Sequence, residues 1–168
     1  MTDKVFRKYL EIKSLQDLNE VKNPSQKYSI ELVNPKDFHL NKFFYKNIGK
    51  SHQWTDRLVW SDLKWMNYIS NEKLFTYVLK EKDEIAGYFE LIYKENIKEA
   101  EIAYFGILEE YYGKRLGGYL LSEGIKFSFL RGATRLWLHT CSLDHRNALN
   151  NYLSRGMKVF KSEILNLQ

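Results

Sequence analysis

The sequence predicts an α/β fold in the broad α+β sense, a mixed sheet interrupted by helices in the order β-β-α-α-β-β-β-α-β-α-β. Three observations carry this. Residues 74–80, 85–93 and 101–108 are short β-branched or aromatic runs separated by charged turns, the spacing of an antiparallel meander. Residues 146–155 set Ala148, Leu149, Tyr152 and Leu153 on one helical face and stop at Gly156. Between them a strand feeds a glycine-bearing turn at 111–118, then a helix to about residue 130 closed by Gly132, then a strand at 135–141.

The remaining elements follow the same logic. Two short strands are expected at 9–13 and 28–33, joined by a polar turn at Asn23, Pro24 and Ser25. Residues 36–48 read as a helix carrying Phe38, Leu40, Phe43, Phe44 and Ile48, ended by Gly49. A second short helix starts after Ser61, whose hydroxyl can accept from free N–H groups of the first turn. A last strand covers 157–165.

At 168 residues the chain suits one domain, 1–168, and no linker, repeat or low-complexity tract divides it. Hydrophobic residues at 44% and charged residues at 28% exclude both a disordered tail and a membrane span. A single cysteine, Cys141, excludes an internal disulfide and a cysteine-rich zinc module. No signal-peptide core interrupts the charged N-terminal residues, so the expectation is a soluble, cytoplasmic protein. The net charge of +5 allows an anionic partner. It is concentrated at 111–161, which hold nine basic side chains against Glu123 and Asp144 alone.

The most informative stretch is 101–118. The free N–H groups and dipole at the start of a helix favour an anion, glycines allow close backbone approach, and Lys114 and Arg115 add two cations. The alternative is that Gly113, Gly117 and Gly118 only shape a tight turn. The segment is neither a P-loop nor a dinucleotide fingerprint. It does resemble the acetyl-CoA-binding motif of the GNAT N-acetyltransferases. The strand around His139 and the helix with Ala148, Tyr152 and Gly156 resemble that family's next motif, and the run from Trp137 to His145 is similar to a bacterial subgroup. The resemblance covers roughly residues 74–165 and implies a largely antiparallel central sheet flanked by helices on both faces. It also implies acetyl-CoA as cosubstrate, held by Phe105, Gly106, Ile107, Leu108, Tyr112, Gly113, Lys114, Arg115, Leu116, Gly117, Gly118 and Asn147. The chain departs from the family loop, Gln/Arg-x-x-Gly-x-Gly/Ala: Tyr112 stands at the Gln/Arg position and Arg115 at the first Gly, and only Gly117 matches. If the turn needs a positive φ at 115, the arginine is strained there.

Acetyl transfer to an amine needs a base for the ammonium, donors for the developing oxyanion and an acid for the leaving thiolate. The resemblance places Tyr152 at the acid position; its other reading is an aromatic on the helix's apolar face. Glu101 falls where the histone-acetylating branch carries its base, Glu90 on the preceding strand competes, and a water chain or a plain solvated charge are the alternatives. The oxyanion donors would be backbone N–H groups around Phe105 to Ile107. Trp54, Asp56, Arg57 and Trp60 lie where the family builds its acceptor pocket, with the tryptophans flanking an amine and Asp56 or Arg57 pairing a charge on it; core tryptophans and a surface ion pair are the alternative. His139, Cys141, Asp144 and His145 fit no zinc spacing, so no metal is expected. His139 and Cys141 are expected to pack beneath the cofactor arm, with Cys141 a buried thiol.

These readings converge on an acetyl-CoA-dependent N-acetyltransferase acting on a primary amine of a small molecule or protein. The alternative is a non-catalytic CoA-binding module. No nucleic-acid or membrane partner is expected, and a homodimer is left open.

Overall fold

The computed structural model of the protein describes residues 4–166, so the ends of the expected 1–168 domain lie outside the described residues. These form strands β1 (Lys4–Ile12), β2 (Tyr28–Leu32), β3 (Leu74–Glu81), β4 (Glu84–Lys94), β5 (Glu99–Ile107), β6 (Arg135–Cys141) and β7 (Lys158–Asn166). The helices are α1 (Phe38–Gly49), α2 (Asp62–Ile69), α3 (Leu116–Leu130) and α4 (Ala148–Ser154). All seven strands join one sheet in the order β2-β3-β4-β5-β6-β1-β7. Neighbours are antiparallel except β5 and β6, which run parallel. The expected mixed, largely antiparallel sheet with helices on both faces is therefore present.

Strand alternation divides the core into two layers. Phe89 and Ile102 turn one way, against Leu116, Leu120, Leu121 and Ile125 of α3. Tyr88, one residue from Phe89, turns the other way and stacks on Phe44 of α1 with centroids 4.6 Å apart. Each fully buried leucine in these layers contributes about 2 kcal/mol. The helix starts obey the capping chemistry: Asp37 accepts from the His39 N–H at 3.0 Å and Ser61 from the Lys64 N–H at 3.2 Å.

Two elements differ from the sequence reading. β1 begins at Lys4, well before the expected residue 9, because Lys4, Arg7 and Lys8 hide its alternation. α4 is shorter than the expected 146–155, since Arg146 and Asn147 belong to a turn in which Asn147 N–H donates to His145 Nδ1 at 3.1 Å.

Gly156 ends α4 at φ 102, and a Cβ there would run into the Asp17 carbonyl oxygen. The close approach is locked by Asn19, whose N–H donates to the Arg155 carbonyl at 2.9 Å and whose side-chain amide donates to the Ser154 carbonyl at 2.9 Å. Gly156→Ala is expected to cost ~3 kcal/mol, since it adds backbone strain to a clash with an immovable carbonyl. Urea denaturation reads this directly.

Candidate functional site

β5 and β6 pair over three positions only, ending at Glu101 opposite Trp137. Beyond that point the strands part, and a cleft of about 1060 Å³ opens between them, roofed by the α1–α2 loop and bounded by α4 and the turn leading into α3. Residues 103–107 of β5 thus have no β6 partner on this side, which leaves backbone N–H groups available to a ligand.

One end of the cleft suits an anion. α3 starts without a side-chain cap, so its first-turn N–H groups are free. Gly113 has φ 77, a Cβ there would meet open space, and at Gly117 it would meet only Asn151 Nδ2 at 3.5 Å. Both glycines line the cleft. Arg115 adopts the left-handed conformation, φ 62 and ψ 17. This is the strain expected of an arginine at a glycine position, and it costs about 1–3 kcal/mol. Arg155 lies near: burial, and then the charge of Arg115, hold its pKa below the ordinary arginine range. Its buried Nε has no hydrogen-bond partner among the described residues. The free helix start with Arg115 in the cleft, and Arg155 behind it on Asn151, fit a diphosphate.

The other end holds the candidate chemistry. Tyr152 lines the cleft, with its ring edge-on to Phe105 at 6.2 Å. Burial, and secondarily Asp144, raise its pKa above that of an ordinary phenol. Glu101 is half-buried in the same cleft; burial pushes its carboxyl up, partly offset by Lys94. The structure brings fifteen of the expected residues to this one space: Glu101, Phe105, Gly106, Ile107, Tyr112, Gly113, Arg115, Leu116, Gly117, Gly118, Asn147 and Tyr152, with Trp54, Asp56 and Arg57.

Four expected residues lie elsewhere. Glu90 is fully buried and does not reach the cleft. Its carboxylate accepts from Arg57 Nη1 at 3.1 and 3.3 Å, from Tyr68 Oη at 2.6 Å and from Asn41 Nδ2 at 3.0 Å, so the reading of Glu90 as a base is corrected to a structural ion pair. Trp60 flanks Arg57 at 4.8 Å rather than an amine, and packs on Trp65 and Tyr68. Leu108 is buried against α1, and Lys114 extends over the Tyr111 ring at 5.3 Å.

Arg57 lines the cleft but is committed to Glu90. Burial opposes its charge, yet Glu90, Tyr68 and Tyr104 hold its pKa above the ordinary value. It therefore anchors the loop that carries Trp54 and Asp56 to the buried carboxylate. His139 lines the cleft from β6, its ring tilted on Tyr9 at 5.6 Å. Cys141 is half-buried, not sealed in the core.

Three further residues line the cleft: Tyr104, which the sequence reading does not name, and Asp144 and His145, which it weighs only against a metal. Tyr104 stands under Trp54 and over Arg57, and burial pushes its phenol up to about 12. Asp144 accepts from Thr140 Oγ1 at 2.6 Å, from the Cys141 N–H at 3.0 Å and from Trp54 Nε1 at 3.5 Å, tying the β6 end to the α1–α2 loop. His145 meets Tyr112 edge-on at 4.9 Å. An acidic residue four positions after a strand threonine was the available signal for Asp144. Among the described residues no group of three or more His, Cys, Asp or Glu could hold a metal ion, and no helix is long and apolar enough to cross a membrane.

Solved structures share this architecture. A GCN5-related N-acetyltransferase from Sphaerobacter thermophilus superposes with a TM-score of 0.70 at 16% identity, over 96% of this chain and 50% of that one. The chain thus spans half the length of that relative. An aminoglycoside acetyltransferase from an uncultured soil metagenomic sample gives 0.64 at 14% identity, over 79% of this chain and 90% of the other. The ribosomal-protein-S18-alanine N-acetyltransferase from Escherichia coli gives 0.58 at 20% identity, over 77% and 76%. No curated protein matches the chain in sequence. The model of the acetyltransferase (GNAT) family matches residues 38–157, which hold the parted strands, the α3 turn and Tyr152, and the chain belongs to that family.

Proposed function

We propose that the protein is an acetyl-CoA-dependent N-acetyltransferase, one domain over residues 1–168, which moves an acetyl group to a primary amine by direct attack in the cytoplasm. The observation that carries this reading is the single cleft that joins an uncapped, cationic helix start to Tyr152 and Glu101 across two parted strands. Acetyl-CoA supplies an activated acyl carbonyl with a thiolate leaving group. The N–H groups of the α3 turn, with Arg115 and Arg155, hold its phosphates. Backbone N–H groups of Phe105 to Ile107 face the developing oxyanion. Glu101, directly or through water, takes the ammonium proton; its raised pKa makes it a better base than a solvated carboxylate. Tyr152 gives its proton to the departing sulfur.

One similar structure is an aminoglycoside acetyltransferase and another acts on the alanine of a ribosomal protein, so small-molecule and peptide amines both belong in the assay. Incubation with acetyl-CoA, an amine panel and a thiol reagent is expected to release CoA thiol above background. No release, together with no calorimetric binding of CoA, defeats the proposal. Binding without turnover on any amine would support the CoA-binding module instead, the reading that the departure from the family loop at Arg115 keeps open.

A further inference from the structure

We infer that the outer edge of β7 is a docking surface for a second copy of this chain, the two β7 strands pairing antiparallel about Ser162. β7 closes one end of the sheet, with β1 on its inner side and no strand on its outer side among the described residues. Its nine residues therefore present a row of unpaired backbone groups. Apolar side chains crowd the same edge: Val159, Phe160 and Ile164 are 40%, 42% and 60% exposed, and Phe6, opposite Ile164 on β1, is 53% exposed. An uncovered edge is a template for another strand, and one that carries Lys158, Lys161 and Glu163 accepts only a strand whose charges match.

The charges on β7 identify the occupant and the register. In a two-fold antiparallel pairing one residue faces its own copy and its neighbours face each other crosswise. With Ser162 on the axis, Lys161 of each copy stands opposite Glu163 of the other. Moving the axis by one residue sets Lys161 against Lys161, or Glu163 against Glu163, and like charges directly opposite are destabilising. Within one copy Lys161 and Glu163 already pair at 2.7 Å, with side chains 53% and 30% exposed. Such a surface pair contributes little, so exchanging it for two intermolecular pairs is inexpensive. The same register brings Val159 and Phe160, at the bulge where β7 shifts against β1, to Leu165 and Ile164 of the second copy. Leu165 also lines the cleft, so the second copy borders one wall of it. This inference is independent of the acetyltransferase proposal.

Sedimentation of the purified chain across concentration is expected to show a monomer–dimer equilibrium. Lys161→Glu alone and Glu163→Lys alone each set like charges opposite each other and are expected to weaken dimerisation about tenfold or more. An equimolar mixture of the two variants restores it, as does the double exchange in one chain. In a Cys141→Ser background, Ser162→Cys is expected to form an intermolecular disulfide, because paired antiparallel residues stand ~4.5–5.5 Å apart at Cα. Circular dichroism shows whether each single variant is folded, and the double exchange tests the register if one is not. A monomer at every concentration, a dimer indifferent to the charge exchange, or one that Ser162→Cys does not cross-link overturns the inference.

Discussion

Glu90→Ala is expected to remove about 3–5 kcal/mol of folding stability, the cost of leaving a buried charge without its partner. Arg57 is the charge left behind. Its side chain is 8% exposed, and its guanidinium carbon lies 4.1 Å from the Tyr104 ring, 4.2 Å from Tyr68, 4.8 Å from Trp60, 5.5 Å from Trp65 and 5.7 Å from Tyr45. Those ring faces attract a cation, but they supply no hydrogen-bond acceptor to replace the carboxylate. Tyr68 and Asn41 lose an acceptor in the same substitution, while Asn41 Nδ2 keeps Thr76 Oγ1 at 2.9 Å and Arg57 Nη2 keeps Tyr68 Oη at 2.8 Å. The melting temperature is expected to fall by about 10 °C. Replacing both partners, Arg57→Met with Glu90→Leu, is expected to recover much of the loss, because a well-packed apolar pair avoids the desolvation of both ions. If the double variant is as unstable as Glu90→Ala, the cluster holds the loop through its hydrogen bonds rather than through charge balance.

That cluster also shows where sequence reasoning stops. Alternation along 85–93 correctly gives a strand, but alternation names two faces without saying what covers each. On β4 both faces are covered, Phe89 by α3 and Tyr88 with Glu90 by α1 and the α1–α2 loop, so a glutamate read as facing a cleft is sealed inside. Trp60 lies outside the cleft for the matching reason: a loop's composition does not tell which side turns inward. Local chemistry was more legible. The Ser61 cap, the meander and the strained backbone at Arg115 each depend on a few neighbouring residues. The parting of β5 and β6 depends on strand order, which one-dimensional periodicity does not carry. The resemblance points to the oxyanion donors around Phe105 to Ile107 and to the position of Tyr152, but the parting itself is read from the strand pairing.

Tyr152→Phe is expected to lower kcat about a hundredfold, the lower range for loss of a positioned general acid, with acetyl-CoA affinity almost unchanged. The substitution removes one oxygen and keeps the ring, so the packing against Phe105 survives. Burial, then the charge of Asp144, raise the Tyr152 pKa, which has two consequences. The phenol stays protonated through the alkaline range in which a free amine becomes a good nucleophile. It is also a weaker acid than an ordinary phenol, so in the proposed acid role it would transfer its proton only once substantial charge had built up on sulfur. Wild-type kcat is therefore expected not to fall on the alkaline side below a pH of about 10, the ordinary phenol value. Calorimetry on the variant separates the roles: a large loss of acetyl-CoA affinity would make Tyr152 a packing residue of α4. Unchanged affinity with unchanged kcat would move the proton donor elsewhere in the cleft, where Tyr104, pushed up to about 12, is the next phenol facing the same space.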